Sequence, residues 1–207
     1  AANQVALAKI GGIAPLISWL QSANVAIQAH AAQAVLSLAT DNAVTQLLIA
    51  KSDGIPPLIG LVKRSSPDAQ EYAARALWHL ASQVENRKEI VDAGVIKPLI
   101  AMLAADGDLA PELAAIILVR LCRGNAEVAT EIASSNGILP LVKLLGSGSS
   151  GSQLRGASCL AELALVPKNR DMIANAGGIE PIIKLLTSAH KDSPETAARV
   201  LAHLSHA

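Results

Sequence analysis

The feature that most constrains this 207-residue chain is a proline that returns at nearly fixed intervals. Pro15, Pro57, Pro98, Pro140 and Pro181 are separated by 42, 41, 42 and 41 residues. Each closes the same short motif: Gly12-Ile13-Ala14-Pro15, Gly54-Ile55-Pro56-Pro57, Gly94-Val95-Ile96-Lys97-Pro98, Gly137-Ile138-Leu139-Pro140 and Gly178-Ile179-Glu180-Pro181. Self-similarity at such a period marks a repeat architecture. Five units, approximately 1–40, 41–82, 83–124, 125–166 and 167–207, account for the sequence as one repeat domain. The sequence starts at Ala1 and not at Met, so it reads as a piece of a longer protein.

Each unit has the same internal order. A short helix comes first, as in Asn86 to Ala93. The motif glycine is expected to end it, since a helix C-terminus favours a left-handed residue without a Cβ. Proline then sits at the start of a second helix, where its missing N–H costs nothing. That helix is apolar at the first, second, fourth and fifth residues after proline, as in Leu58, Ile59, Leu61 and Val62. Trp19 aligns with Leu61, Met102, Leu144 and Leu185 and is expected in the core. Polar breaks follow at 64–68, 105–108, 146–152 and 191–194. A longer third helix, such as Ala69 to Ser82, closes the unit. No unit can bury its apolar face alone, so neighbours must stack.

Composition agrees with an all-helical reading. The apolar share is 51%, too high for disorder, yet Trp19, Tyr72 and Trp78 are the only aromatics and Phe is absent. A core of Ala, Leu, Ile and Val in this proportion favours helix. Seventeen basic residues balance seventeen acidic ones, which argues against nucleic acid as a partner, because nucleic-acid binders carry a basic excess. No apolar run reaches the roughly 18 residues of a membrane span, so direct membrane insertion is not expected. No signal peptide is visible at Ala1-Ala2-Asn3-Gln4, and Cys122 and Cys159 read as small core residues. An intracellular place is expected, cytoplasmic with the nucleus as the alternative.

The period, the Ala-Gly-Gly-Ile-Glu-Pro-Ile-Ile run at Ala176 to Ile183, and third helices such as Tyr72 to Ala81 resemble armadillo repeats across essentially the whole chain. The resemblance implies an all-α, right-handed solenoid of five three-helix repeats, with the third helices lining a concave groove. In relatives of the nuclear-import-receptor and β-catenin kinds, that groove binds an extended peptide. There a Trp and an Asn four residues later often line the groove, as cationic slot and backbone clamp. At the Trp positions this chain has Gln33, Arg75, Ile116, Ser158 and Arg199. At the Asn positions it has Ser37, His79, Arg120, Glu162 and His203. Neither residue is kept in any unit, so binding of basic nuclear-import signals is not expected.

The candidate groove is polar and mixed in charge. One turn earlier come His30, Tyr72, Leu113, Arg155 and Thr196, with Glu71, Glu112 and Glu195 nearby. Tyr72, Arg75, Trp78, His79 and Arg120 form the candidate hot patch, being rich in the types that dominate binding energy. Its arginines would favour an acidic or phosphorylated segment. Two readings stay open: Trp78 either meets ligand or packs on the next repeat, and Arg75 and Arg120 either bind or pair with Glu71 and Glu112. With stacked helices about 8–10 Å apart and two extended residues advancing roughly 6.6 Å, five repeats would span a segment of roughly ten residues.

Catalytic signals are weak. Gly146-Ser147-Gly148-Ser149-Ser150-Gly151 matches G-x-G-x-x-G, but a dinucleotide fingerprint needs a preceding strand. It reads instead as a flexible loop after a helix. His203 and His206 stand three apart, short of the three or four ligands zinc wants. No catalytic set of carboxylates, Ser-His-Asp or His-Glu-x-x-His appears. No cofactor is expected. The sequence therefore reads as a non-enzymatic interaction scaffold for a protein or extended peptide. The alternatives are a spacer that self-associates end to end, or the recruiting part of a larger enzyme such as a ubiquitin ligase.

Overall fold

Short polar side chains start many of the helices. Asn24 Oδ1 accepts from the amides of Ala26 and Ile27 at 2.9 and 3.3 Å. Ser66 and Ser149 do the same for Ala69 and Ser152 at 3.3 and 3.2 Å. Such caps satisfy amides that the first turn leaves without partners. A computed structural model describes residues 2–205, and among these every regular element is helical.

The helices come in threes: α1 (Ala2–Lys9), α2 (Ile13–Trp19), α3 (Val25–Ala39); α4 (Ala43–Lys51), α5 (Ile55–Arg64), α6 (Pro67–Leu80); α7 (Val84–Asp92), α8 (Ile96–Leu103), α9 (Leu109–Cys122); α10 (Ala126–Ser134), α11 (Ile138–Ser147), α12 (Ser150–Leu163); and α13 (Pro167–Asn175), α14 (Ile179–Leu185), α15 (Ser193–Leu204). They gather into two compact units, Ala1–Pro98 and Leu99–Ala207, with the division falling inside α8. In the first unit α3 and α5 pack on α6, and α2 on α3. In the second, α9, α11 and α15 pack on α12. Small residues make that approach possible: Ala73, Ala74 and Ala76 of α6 and Gly156, Ala157 and Ala161 of α12 are buried.

The corner between first and second helices differs from the sequence expectation. The left-handed residue lies four before the proline, at Gly11, Asp53, Gly94, Asn136 and Gly177, with φ between 58° and 87°. Asp and Asn tolerate this region better than other side chains. The next residue is right-handed at Gly12, Gly54, Gly137 and Gly178. Its glycine has a steric cause. A Cβ on Gly54 would stand 2.7 Å from Ile49 Cγ2, and one on Gly137 would stand 2.8 Å from Ile132 Cγ2. Of the five motif glycines, only Gly94 ends its helix by a positive φ.

Two further expectations fail. Helices α11 and α12 run into the segment 146–152 and leave only Gly148 and Ser149 between them, so most of it is helical and not loop. Trp19 is 55% exposed, whereas Leu61, Met102, Leu144 and Leu185 are buried. Leu61 belongs to a triplet whose α6 packs on α3 of the one before, whereas no described helix precedes α1 and α2.

The structure also adds a longer period. Asn86 Nδ2 donates to Leu80 O at 3.0 Å and to Gln46 O at 3.4 Å. Asn169, 83 residues on, donates to Leu163 O at 3.0 Å and Ala129 O at 3.3 Å. Arg87 and Arg170 each place Nε 2.9 Å from the carbonyls of Ala81 and Ala164. The intervening corners instead use left-handed Asp41 and Gly124 before the capping Asn42 and Asn125. Two kinds of corner thus alternate: in one, side chains donate to the last carbonyls of a third helix, and in the other, an Asn Oδ1 accepts from the first amides of the next helix.

Candidate ligand-binding face

The third helices carry the candidate face. In the first unit α3 and α6 lie together; in the second, α9, α12 and α15 form a row. On each helix the predicted positions stay out of the core. Gln33, Ser37, Arg75 and Arg199 are exposed; Ile116, Ser158, Tyr72, His79, Arg120, Glu162 and His203 are half-buried. Glu71 and Trp78 are half-buried beside them. The residues just before the Trp-equivalent positions, Ala32, Ala74, Ala115 and Ala157, are fully buried. A helix with small apolar residues on one side and polar ones on the other presents the polar side outward.

Charge on this face is largely paired locally. Arg75 Nε lies 2.8 Å from Glu71 Oε1 on the same face of α6. In the second unit Glu162 is paired with Arg123 at 3.6 Å; the glutamate is mostly covered and the arginine is not. Glu112 lies against the first turn of α12, where its carboxylate would meet a Cβ on Gly151 at 3.3 Å. Trp78 and His79 meet edge to face with ring centroids 4.7 Å apart.

Arg155 is the informative exception. It is half-buried on α12, one turn before Ser158, and its Nε is buried without a hydrogen-bond partner. That Nε is too covered to meet a ligand, so only the uncovered part of the half-buried side chain can face an incoming oxygen acceptor. Its signal in the sequence was register alone, 83 residues after Tyr72. Arg123 had no such signal, because its link to Glu162 joins two repeats.

Other chemistry is not assembled. His206 lies outside the described residues, so the pair with His203 has no described geometry. Among the described residues no group of three His, Cys, Asp or Glu is placed to hold a metal ion. No described helix is long and apolar enough to cross a membrane. Cys122 and Cys159 are both buried; the hydrogen bond the Cys159 thiol makes to Cys122, then burial, push that thiol well above its ordinary range. A cavity of about 250 Å³ is lined by Leu103, Asp108, Pro111, Lys143 and Leu144 among others, and none of the candidate face residues takes part in it.

The chain resembles known proteins in both sequence and backbone. The model of the Armadillo/beta-catenin-like repeat matches residues 41–82 and 167–206. No curated protein matches the sequence. An engineered protein of known structure is 31% identical over 99% of this chain and 84% of its own, with a TM-score of 0.91. A designed armadillo repeat protein in complex with the peptide (KR)4 is 22% identical over 97% of this chain and 85% of its own, TM-score 0.87. The armadillo-repeats-only protein of Plasmodium falciparum is 19% identical over 97% and 95%, TM-score 0.84. With its triplets of helices, its 41- to 42-residue period and its glycine–proline corners, this chain belongs to the armadillo repeat family.

Proposed function

We propose that this protein is a non-enzymatic scaffold whose third helices bind an extended segment of a partner, and that the segment is acidic or phosphorylated. The observation that carries the reading is the row of polar side chains kept out of the core on α9, α12 and α15, with Arg155 half-buried and Arg199 exposed. The designed relative with (KR)4 supports binding of an extended peptide. Its basic ligand does not suit this row: the Trp and Asn positions hold neither residue here, and the acids Glu71 and Glu162 are engaged by Arg75 and Arg123. Charge-assisted bonds to guanidinium are the strong ones, and phosphate or carboxylate fits them.

The test is fluorescence anisotropy with two labelled peptides of roughly ten residues, one alternating Glu and Ala, one alternating Lys and Arg. The acidic peptide is expected to bind, more weakly as salt rises. Arg155→Glu should weaken it at least about tenfold, the loss of one charged hydrogen bond and the gain of repulsion. Equal or tighter binding of the basic peptide would overturn the acidic preference, and binding of neither would overturn the groove.

A further inference from the structure

The cavity of about 250 Å³ lies between the third and fourth triplets, and its cause is helix length. Helix α8 ends five residues after Pro98, whereas α5 and α11 in the neighbouring triplets run on to seven residues after Pro57 and Pro140. In place of those two residues the chain turns through Ala104, Ala105 and the left-handed Gly107 (φ 84°), which have little or no side chain to fill the space. The cavity opens between this turn and α11, wholly within the second unit.

Its lining is mostly apolar, with one charged residue on each side. Leu103, Pro111, Leu139, Pro140 and Leu144 supply the apolar surface, and Leu139 is 50% exposed. Asp108 stands on the side of the turn and Lys143 on α11, both exposed. Asp108 Oδ1 accepts from the Ser149 amide at 2.9 Å, while Oδ2 accepts from no group among the described residues. Because α8 stops here, the carbonyls of Leu103, Ala104 and Ala105 accept no backbone amide among the described residues. On the Asp108 side they add to the attraction for a cation.

We infer that this cavity binds a free α-amino acid with a large apolar side chain. Size sets the scale: small-ligand pockets begin at about 300 Å³, so a cavity just below that takes an occupant of about one amino acid. Charge sets the class. An acid on one wall and a base on the other cancel, so a ligand with a single charge is repelled by one of them. A zwitterion suits both, its ammonium meeting Asp108 Oδ2 and its carboxylate meeting Lys143 in charge-assisted bonds. The apolar side chain then lies among the two prolines and three leucines, removing their surface from water. None of the residues of the third-helix face takes part, so this site stands or falls independently of peptide binding there.

Isothermal titration calorimetry at pH 7 with three probes decides the matter: L-phenylalanine, N-acetyl-L-phenylalanine, which lacks the ammonium, and L-phenylalaninamide, which lacks the carboxylate. L-phenylalanine should bind once per chain, and each derivative about tenfold more weakly or worse, for the loss of one charged hydrogen bond. Asp108→Asn keeps an acceptor for the Ser149 amide and removes the charge. It should weaken L-phenylalanine and not the N-acetyl form. Lys143→Gln, at an exposed position, should weaken L-phenylalanine and not the amide. Circular dichroism checks helicity, and Lys143→Gln carries the test alone if Asp108→Asn lowers it. No binding of L-phenylalanine up to about 10 mM overturns the inference. Equal binding of the N-acetyl form overturns it too, since the cavity would then be an apolar anchor for a peptide side chain. So does L-phenylalanine binding that neither substitution changes, because the ligand then sits elsewhere.

Discussion

Arg75 and Glu71 face each other one turn apart on α6, with Nε and Oε1 at 2.8 Å and both side chains partly open to water. The pair neutralises the cation that the sequence placed at the centre of the candidate patch. A partly exposed pair one turn apart adds only about 0.3–0.5 kcal/mol to stability. Glu71→Gln should therefore leave the denaturation midpoint nearly unchanged. The same change frees Arg75, so affinity for the acidic peptide should rise severalfold in the anisotropy assay. Unchanged affinity would remove Arg75 from the binding face.

Asn169 should be worth more than any of the face residues to stability. It is buried, and its amide bridges the end of α12 to Ala129 in the triplet before. Asn169→Ala strips partners from buried carbonyls at a cost of about 1–3 kcal/mol. Urea denaturation should show a lower midpoint, and Asn86→Ala should behave alike because its contacts are equivalent.

The glycines separate by cause. Gly54→Ala would drive a Cβ into Ile49, and overpacking of this kind costs about 1–3 kcal/mol. Gly60 sits inside α5 with open space around it, so Gly60→Ala should stabilise by about 0.5–1 kcal/mol through helix propensity. Thermal melts of the two variants should move in opposite directions.

Cys159 supplies a pH signature. Its folded thiol titrates well above the ordinary value, chiefly because its proton is held in a hydrogen bond to Cys122 and then through burial. A raised folded value gives stability that is complete below the unfolded pKa of 9.0 and is lost as pH climbs toward the folded one. Above that point the unfolded chain sheds a proton that the folded chain keeps, so stability falls by about 1.4 kcal/mol per pH unit. Cys159→Ala should flatten this alkaline slope in denaturation series. Alkylation of the native protein at pH 8 should be slow, because the thiol is both buried and protonated.

Much of the fold was legible because it rests on local chemistry repeated five times. Prolines at a 41- to 42-residue spacing and aliphatic positions at helical spacing each act within a few residues of themselves. The period therefore gave the helices and their order, while the groove along the third helices was an expectation drawn from the family resemblance. At Gly94 the expected left-handed φ holds, but at Gly12, Gly54, Gly137 and Gly178 it belongs to the residue before, and only the closeness of Ile49 or Ile132 explains why Gly54 and Gly137 carry no side chain.

What the tertiary structure alone decided is everything that depends on a neighbour 40 residues away. Trp19 and Leu61 occupy the same register with the same apolar character, yet one is exposed and the other buried, since burial requires a preceding triplet and not a preceding sequence. Glu162 looked like a groove acid until Arg123 of the adjacent repeat engaged it, and Arg155 looked ordinary until its Nε was found buried and unused. Local propensity fixes a helix and its faces, but the partner of each face is set by stacking, which a single repeat does not encode.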